Sequence, residues 1–304
     1  MGGLPESPSV EQPRGFRAVC CALLLSSQGL PADSVTMTAV REDRVRKRDA
    51  APTGVASRRI LGMRVDATSY AAATRAVLDL AEAGHGGMTC VCTVHMVMEG
   101  RDDPAFQRIV NGADLVTPDG VPLVWTLRAQ GIPEAERVYG PDLTPILCAA
   151  AAERGIAVGF YGAAPETLET LVQQLVQRFP GLEVGFAHSP PFGPMSDAED
   201  ARVVDAIRDS GIGLLFVGLG CPKQERWMAA HRDRLDCALV GVGAAFDFLA
   251  GHKAQAPAWL QRAGLEWAFR LAHEPRRLWR RYAVHNPRFI VGALRQLVRA
   301  QRAT

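Results

Sequence analysis

A single carboxylate on a stiff turn is the first candidate for chemistry in this sequence. Asp119 follows a short apolar run and stands in the segment Thr-Pro-Asp-Gly. A general base needs a rigid mount, partial removal from water and reach into a ligand crevice, and such a turn at a strand end supplies them. Pro-Asp-Gly is also a common turn with no chemical role. The composition of this segment leaves both interpretations open.

Three glycine-containing segments at predicted strand ends are candidates for contact with a ligand. Gly162 opens a turn that leads into a helical pattern, where free N–H groups favour an anion, although a tight turn needs the same small residues. Lys223 could neutralise phosphate and Gln224 could hydrogen-bond a base or a sugar, whereas the alternative is a solvent-exposed helix start. Asp247 is the last residue of the segment Gly-Val-Gly-Ala-Ala-Phe-Asp. Its carboxylate could contact a ligand, or it could cap the start of a helix.

Several chemistries lack their residues. The sequence has no nucleophile-elbow serine motif, HExxH, Walker A or EF-hand loop, and its seven cysteines show no paired zinc spacing. No Asp-x-Asp occurs, so backbone amides and cationic side chains would have to neutralise a bound diphosphate. The net charge of +2 gives no general attraction to nucleic acid. The sequence therefore predicts no metal site, no cofactor and no nucleic-acid partner.

These candidate residues need a scaffold, and alternating patterns predict one. Apolar runs that predict buried strands alternate with helical periods such as residues 166–179. The alternation predicts a Rossmann-like α/β fold, a parallel sheet with helices on both faces, in which ligands bind at the carboxyl ends of the strands. The predicted strands are Ile60–Val65, Met88–Val94, Ala113–Val116, Ile156–Tyr161, Leu182–Ala187, Ile212–Val217 and Cys237–Val242.

Composition divides the chain into three parts. Residues 1–57 keep no period and predict a flexible leader, and residues 58–256 carry the strand and helix signals of the catalytic domain. Residues 257–304 predict a basic helical appendage, because ten arginines against two acids between Arg262 and Thr304 give a local balance of +8. Aromatic residues interleave with these arginines, a pattern typical of contact with an anionic membrane surface.

Five motifs, present together and in this order, resemble those of the TagA/WecG/CpsF glycosyltransferase family over about residues 60–289. They are Ala-Asp-Leu-Val-Thr-Pro-Asp-Gly ending at Gly120, Arg-Val-Tyr-Gly-Pro-Asp-Leu from Arg137, Gly-Leu-Gly-Cys-Pro-Lys-Gln-Glu-Arg-Trp from Gly218, Gly-Val-Gly-Ala-Ala-Phe-Asp ending at Asp247, and Glu-Trp at Glu266 continuing through Glu-Pro-Arg-Arg-Leu-Trp-Arg-Arg-Tyr to Tyr282.

The resemblance implies an inverting, metal-independent transfer in cell-surface polysaccharide synthesis. An N-acetylhexosamine, typically N-acetylmannosamine, would move from a UDP-sugar donor to a sugar linked to undecaprenyl diphosphate. The enzyme would be cytoplasmic and peripheral on the inner face of the cell membrane. Carried over by motif, Asp119 matches the base, Arg137 a donor or leaving-group contact, and Gln224 a nucleotide-sugar contact. The arginines that match the acceptor-binding appendage are Arg276, Arg277 and Arg280.

One departure from the family pattern bears on the donor. Where the family has an Asn after its second strand, this chain has Cys-Thr-Val-His-Met, so Thr93 or His95 would take the contact with the donor sugar. His95 could equally be a packed histidine at a helix start. The sugar, the acceptor and the formation of a homo-oligomer stay open. Two other functions compete with transfer: a Rossmann-type oxidoreductase, disfavoured by the missing GxGxxG, and a non-catalytic membrane-docking sensor of nucleotide sugars.

Overall fold

The computed structural model describes residues 55–191 and 193–302. Most of the expected flexible leader, residues 1–54, lies outside the described residues. The predicted leader ends at Ser57, and this residue is the first of a strand.

A six-stranded parallel sheet organises the described chain, as the sequence predicts. Its strands are β3 (Met88–Cys92), β4 (Leu115–Pro118), β5 (Val158–Gly162), β6 (Val184–His188), β7 (Leu214–Gly218) and β8 (Ala238–Gly241). They lie in the order β4-β3-β8-β7-β5-β6 and every pairing between neighbours is parallel. The strands β3, β4, β5 and β8 are buried at each position, because helices cover both faces of the sheet.

Twelve described helices flank or follow the sheet. They are α1 (Tyr70–Ala83), α2 (Val94–Asp102), α3 (Pro104–Asn111), α4 (Val121–Ala129), α5 (Gly140–Arg154), α6 (Pro165–Arg178), α7 (Asp197–Asp209), α8 (Lys223–His231), α9 (Ala245–Leu249), α10 (Ala258–Arg262), α11 (Glu266–His273) and α12 (Pro275–Arg302). The predicted helix at residues 166–179 is α6, within one residue at each end. Buried side chains form two clusters that together fill the space around the sheet.

The prediction that the first apolar run forms a strand of this sheet is wrong. The run Ile60–Val65 is interrupted, and β1 (Ser57–Ile60) pairs with β2 (Met63–Asp66) as a separate antiparallel hairpin. The chain reverses because Leu61 and Gly62 both take positive φ angles, 51° and 92°. Asp66 attaches the hairpin to the sheet, since its Oδ2 accepts a 2.8 Å hydrogen bond from the Val116 N–H.

The C-terminal helices pack on the sheet domain through one face of α12. Leu278, Phe289 and Ala293 of that helix are buried, and it contacts α2 and α11. At Gly292 the two parts approach so closely that a Cβ would lie 3.1 Å from the side chain of Leu61. The helix begins at Pro275, within the predicted basic helical appendage. Among the described residues, no helix combines the length and the apolar character that crossing a membrane requires.

Candidate active site

The ends of β3 and β4 place the predicted base beside its neighbours. The backbone N–H of Asp119 donates a 2.9 Å hydrogen bond to the carbonyl of Cys92, the last residue of β3. The Val138 N–H donates a 2.9 Å bond to the carbonyl of Pro118, which brings Arg137 alongside. Because parallel strands end at one edge, Thr93, Asp119 and Arg137 meet there although they are distant in sequence.

Arg137 binds two carboxylates from different parts of the chain. One of its terminal nitrogens lies 3.1 Å from Asp119 Oδ1 and 2.6 Å from Glu266 Oε2. Its Nε donates to the Asp119 carbonyl at 2.5 Å, and its other terminal nitrogen donates to Gln261 Oε1 at 3.1 Å. The guanidinium also lies 4.1 Å from the centre of the Tyr139 ring. Asp119 and Arg137 are thus held to the appendage by Glu266 and Gln261.

Burial makes Asp119 an unusually basic aspartate. Its side chain is 14% exposed, and this removal from water raises its pKa from 3.8 to about 6. The positive charge of Arg137 lowers the pKa of Asp119, but by less than burial raises it. The negative charge of Glu266 raises the pKa further. A carboxylate with this pKa is mainly ionised at neutral pH and binds a proton more readily than an exposed aspartate does. These are the properties a general base requires.

A cavity of about 580 Å³ opens above this cluster. Asp119 and Arg137 lie in its wall together with Arg270 and Arg281 from the appendage. Its outer wall is apolar and carries five large exposed side chains. These are Trp125 (52% exposed), Leu265 (40%), Trp267 (39%), Ile290 (55%) and Leu294 (57%). The cavity therefore joins a polar floor to an apolar rim.

The sequence interpretation missed the appendage residues that face the cavity. Glu266, Arg270, Arg281 and His285 all line it, and none of them was a candidate. The sequence does contain a pattern that indicates these residues. Positions 278, 281, 285 and 289 are three or four residues apart and therefore lie on one face of α12. That face contains two buried apolar residues, so the polar residues between them point inward as well.

Gly162 has a structural reason to be small. It is buried with φ at 126°, and a Cβ there would lie 2.6 Å from the carbonyl carbon of Gly218 on the neighbouring strand. This contact explains the glycine without a ligand. In the described chain, no side chain caps the N-terminus of α6 that follows it. Phosphate binding at this turn stays a prediction.

Gln224 is buried and makes its hydrogen bonds inside the protein. Its side chain is 2% exposed, whereas that of Lys223 is exposed. The Gln224 amide donates to Glu225 Oε1 at 2.5 Å and accepts from the Gly243 N–H at 3.0 Å. Both ends of the amide are therefore used inside the protein. The amide thus joins the start of α8 to the loop after β8, and the contact of Gln224 with a nucleotide sugar stays a prediction.

Asp247 takes part in a link to the appendage. Its Oδ2 lies 2.5 Å from Lys253 Nζ, which in turn lies 3.7 Å from Glu274 Oε1 between α11 and α12. Arg277 pairs with the same Glu274. Asp247 therefore serves as an ion-pair partner in this structure, and its carboxylate is only partly available to a ligand.

The three predicted acceptor-binding arginines lie on the outside of α12. Arg276, Arg277 and Arg280 are exposed and are not part of the cavity wall. The cavity instead contains Arg281, whose burial lowers its pKa. The arginines of the appendage thus divide into an inner group and an outer group.

Residues 58–303, which include every described strand and helix from β2 to α12, match the model of the family described as "Glycosyl transferase WecG/TagA/CpsF family". The chain belongs to this family. This confirms the resemblance and identifies a glycosyltransferase, against the oxidoreductase alternative. The transferase is also 32% identical over 199 residues to the "N-acetylglucosaminyldiphosphoundecaprenol N-acetyl-beta-D-mannosaminyltransferase" of Bacillus spizizenii, over 65% of this chain and 74% of that protein.

Proposed function

We propose that this transferase moves N-acetylmannosamine from a UDP donor to a sugar carried on undecaprenyl diphosphate, with inversion at the anomeric carbon. One observation carries the proposal: the basic Asp119 carboxylate lies in a cavity whose rim is apolar and exposed. Such a cavity suits a substrate with a sugar at one end and a prenyl chain at the other. The Bacillus relative supports this choice, because its name specifies a lipid-linked acceptor and a mannosaminyl donor.

The proposed reaction is a single displacement. A hydroxyl oxygen of the acceptor sugar attacks the anomeric carbon as the bond from that carbon to the β-phosphate oxygen breaks. Asp119 takes the hydroxyl proton, and UDP leaves with the electron pair of the broken bond. Base catalysis of this kind contributes a factor of ~10²–10⁴ in rate. Attack from the face opposite UDP inverts the anomeric configuration.

Cationic side chains would stabilise the departing diphosphate without a divalent metal. The guanidinium groups of Arg137, Arg270 and Arg281 line the cavity, and charge-assisted hydrogen bonds from arginine suit phosphate oxygens. Arg137 is already oriented by Glu266, which reduces the reorganisation needed when charge develops. The sequence has no Asp-x-Asp to hold a metal-bound diphosphate.

Thr93 is the best-placed residue for the donor sugar. It lies in the cavity wall, and its hydroxyl oxygen accepts a 3.3 Å hydrogen bond from the Met96 N–H at the start of α2. The hydroxyl proton is then directed away from the helix and can be donated to a ligand. We propose that it contacts a polar group of the bound sugar.

The outer face of the appendage would bind the inner face of the cell membrane. Arg276, Arg277 and Arg280 are exposed near Trp279, which is 54% exposed, and each arginine near anionic lipid contributes about 1 kcal/mol. The exposed apolar side chains farther along α12 are Val284, Ile290, Val291, Leu294 and Val298. Because two of these also lie at the cavity rim, membrane contact would bring the rim to the lipid that carries the acceptor.

The experiment is a transfer assay with a panel of UDP-sugars and a short-chain prenyl-diphosphate N-acetylglucosamine acceptor. The product is identified by mass, and its anomeric configuration by NMR. We expect transfer of N-acetylmannosamine with inversion and at a rate independent of added Mg²⁺ or Mn²⁺. Binding of UDP without turnover of any donor would support the sensor alternative instead, and retention of configuration would refute the single displacement.

A further inference from the structure

Two histidines and a glutamate meet where the appendage packs on the sheet domain. His95 and Glu99 lie one turn apart on α2, and His285 approaches them from α12. We call these three residues the His–Glu–His cluster. One ligand atom from each residue lies within 4.8 Å of those of the other two. The cluster thus combines donors from two parts of the chain about 190 residues apart.

The distances are unsuited to direct hydrogen bonds. His95 Nδ1 lies 3.5 Å from Glu99 Oε1, and His285 Nε2 lies 3.7 Å from the same oxygen. Direct N–H···O bonds are ordinarily 2.7–3.2 Å long. Two ligands of one tetrahedral zinc ion with bonds of ~2.0–2.1 Å are separated by about 3.4 Å. The two distances from the histidines to Glu99 are close to this separation, and all three ligand atoms lie within 4.8 Å of one another.

The ring nitrogen by which His95 faces Glu99 is without a partner. Among the described residues, the buried Nδ1 of His95 finds no hydrogen-bond partner. His285 faces Glu99 through Nε2, and its buried Nδ1 is also unpartnered within the described chain. Their side chains are only 14% and 15% exposed. Buried polar atoms without partners are uncommon and call for a ligand or an ordered water.

The charges around the cluster are of both signs. The guanidinium group of Arg281, near both histidines, and that of Arg288, near His285, would weaken the binding of a cation. Glu99 supplies a compensating negative charge directly at the site.

We propose that the His–Glu–His cluster binds a zinc ion that clamps the appendage to the sheet domain. Two neutral imidazoles and one carboxylate are ligands suited to zinc. His95 and His285 both line the cavity, so water from the cavity would supply the fourth ligand. This assignment gives His95 a role other than the sugar contact expected from the family pattern. It is independent of the proposed transfer, because the clamp supplies no step of that reaction.

The test uses the full chain without a polyhistidine tag, freed of metal by chelation and titrated with ZnCl₂ by competition against a chromophoric chelator. We expect one zinc ion that the intact protein binds and that H285N and E99Q bind at least about 100-fold more weakly. Added zinc should raise the Tm of the intact protein and leave the Tm of the two variants unchanged. Added Co²⁺ should give the intense visible absorption of four-coordinate cobalt in the intact protein alone.

H273N is the matched control, because His273 lies exposed on the neighbouring helix α11 and outside the cluster. It should bind zinc as the intact protein does. If H285N and E99Q retain the affinity and stoichiometry of the intact protein, the metal lies elsewhere and the proposal is wrong. The proposal is equally wrong if the intact protein binds no zinc at micromolar concentration. The comparison between intact protein and variants removes any contribution of the cysteine thiols.

Discussion

Asp119→Asn should separate catalysis from stability. The asparagine keeps the size of the side chain and one acceptor oxygen for Arg137, but it cannot take a proton. We expect transfer to fall by a factor of ~10²–10⁴, while UDP binding stays nearly unchanged. The fold should not suffer, because the ionised carboxylate is itself unfavourable in this buried position.

The magnitude of the stability effect follows from the pKa. The folded protein raises the pKa of Asp119 from 3.8 to about 6, a value that already includes the attraction of Arg137. At pH 8 the buried carboxylate is ionised, and the difference in pKa corresponds to about 3 kcal/mol of lost stability. As the pH falls from 8 through 6 towards 3.8, the carboxyl of the folded protein becomes protonated and most of this cost is lost. D119N should therefore be more stable than the intact protein at pH 8, by up to about 3 kcal/mol, and this difference should fall below about 1 kcal/mol near pH 4.

Two measurements check this prediction. Urea unfolding at pH 4 and pH 8 gives the stability difference, and kcat/KM between pH 5 and 8 gives the titration of the base. The intact protein should lose activity about tenfold per unit of pH below an apparent pKa of about 6. Asp79→Asn, on the exposed surface of α1, is the control and should change neither quantity. A D119N variant that keeps more than a tenth of the activity, or that is clearly less stable at pH 8, would refute the reasoning.

Three further predictions concern residues around the site. Glu266→Gln should move the acid limb of the pH–rate profile to lower pH, because the negative charge of Glu266 raises the pKa of Asp119; an unmoved limb would contradict this coupling. Reversing the charge of both Arg276 and Arg277 should release the protein from anionic vesicles in a sedimentation assay, and raised salt should do the same to the intact protein. Gln224→Ala should lower the free energy of unfolding by about 1–3 kcal/mol, because the loop after β8 loses a buried hydrogen bond; a variant of unchanged stability would argue against the structural role.

The sequence by itself determined the elements and the sheet. Continuous apolar runs between helical periods indicated strands buried on both faces, and six of the seven predicted strands belong to the parallel sheet. These signals are local, because side-chain period and helix punctuation depend on residues close in the chain. The exception was also local: two residues at positive φ within the first run turned it into a hairpin, and only the glycine of the pair signals such a turn.

The sequence also pointed to Asp119 and Arg137, because motifs in a fixed order identify a family and its shared positions. It could not show which arginines of the appendage face inward. Arg281 and Arg280 are adjacent and chemically identical, yet only Arg281 lies in the cavity wall, because the position of α12 against α2 decides which face is covered.

Tertiary structure alone decided the surroundings of the functional groups. The pKa of Asp119 depends on burial and on a carboxylate 147 residues later in the chain, and Gln224 is buried with its amide bonded to the loop after β8. The His–Glu–His cluster exists only once α12 lies on α2. Removal from water and the approach of distant charges are properties of the packed chain. A motif therefore indicates which residues are present, whereas packing decides what those residues can do.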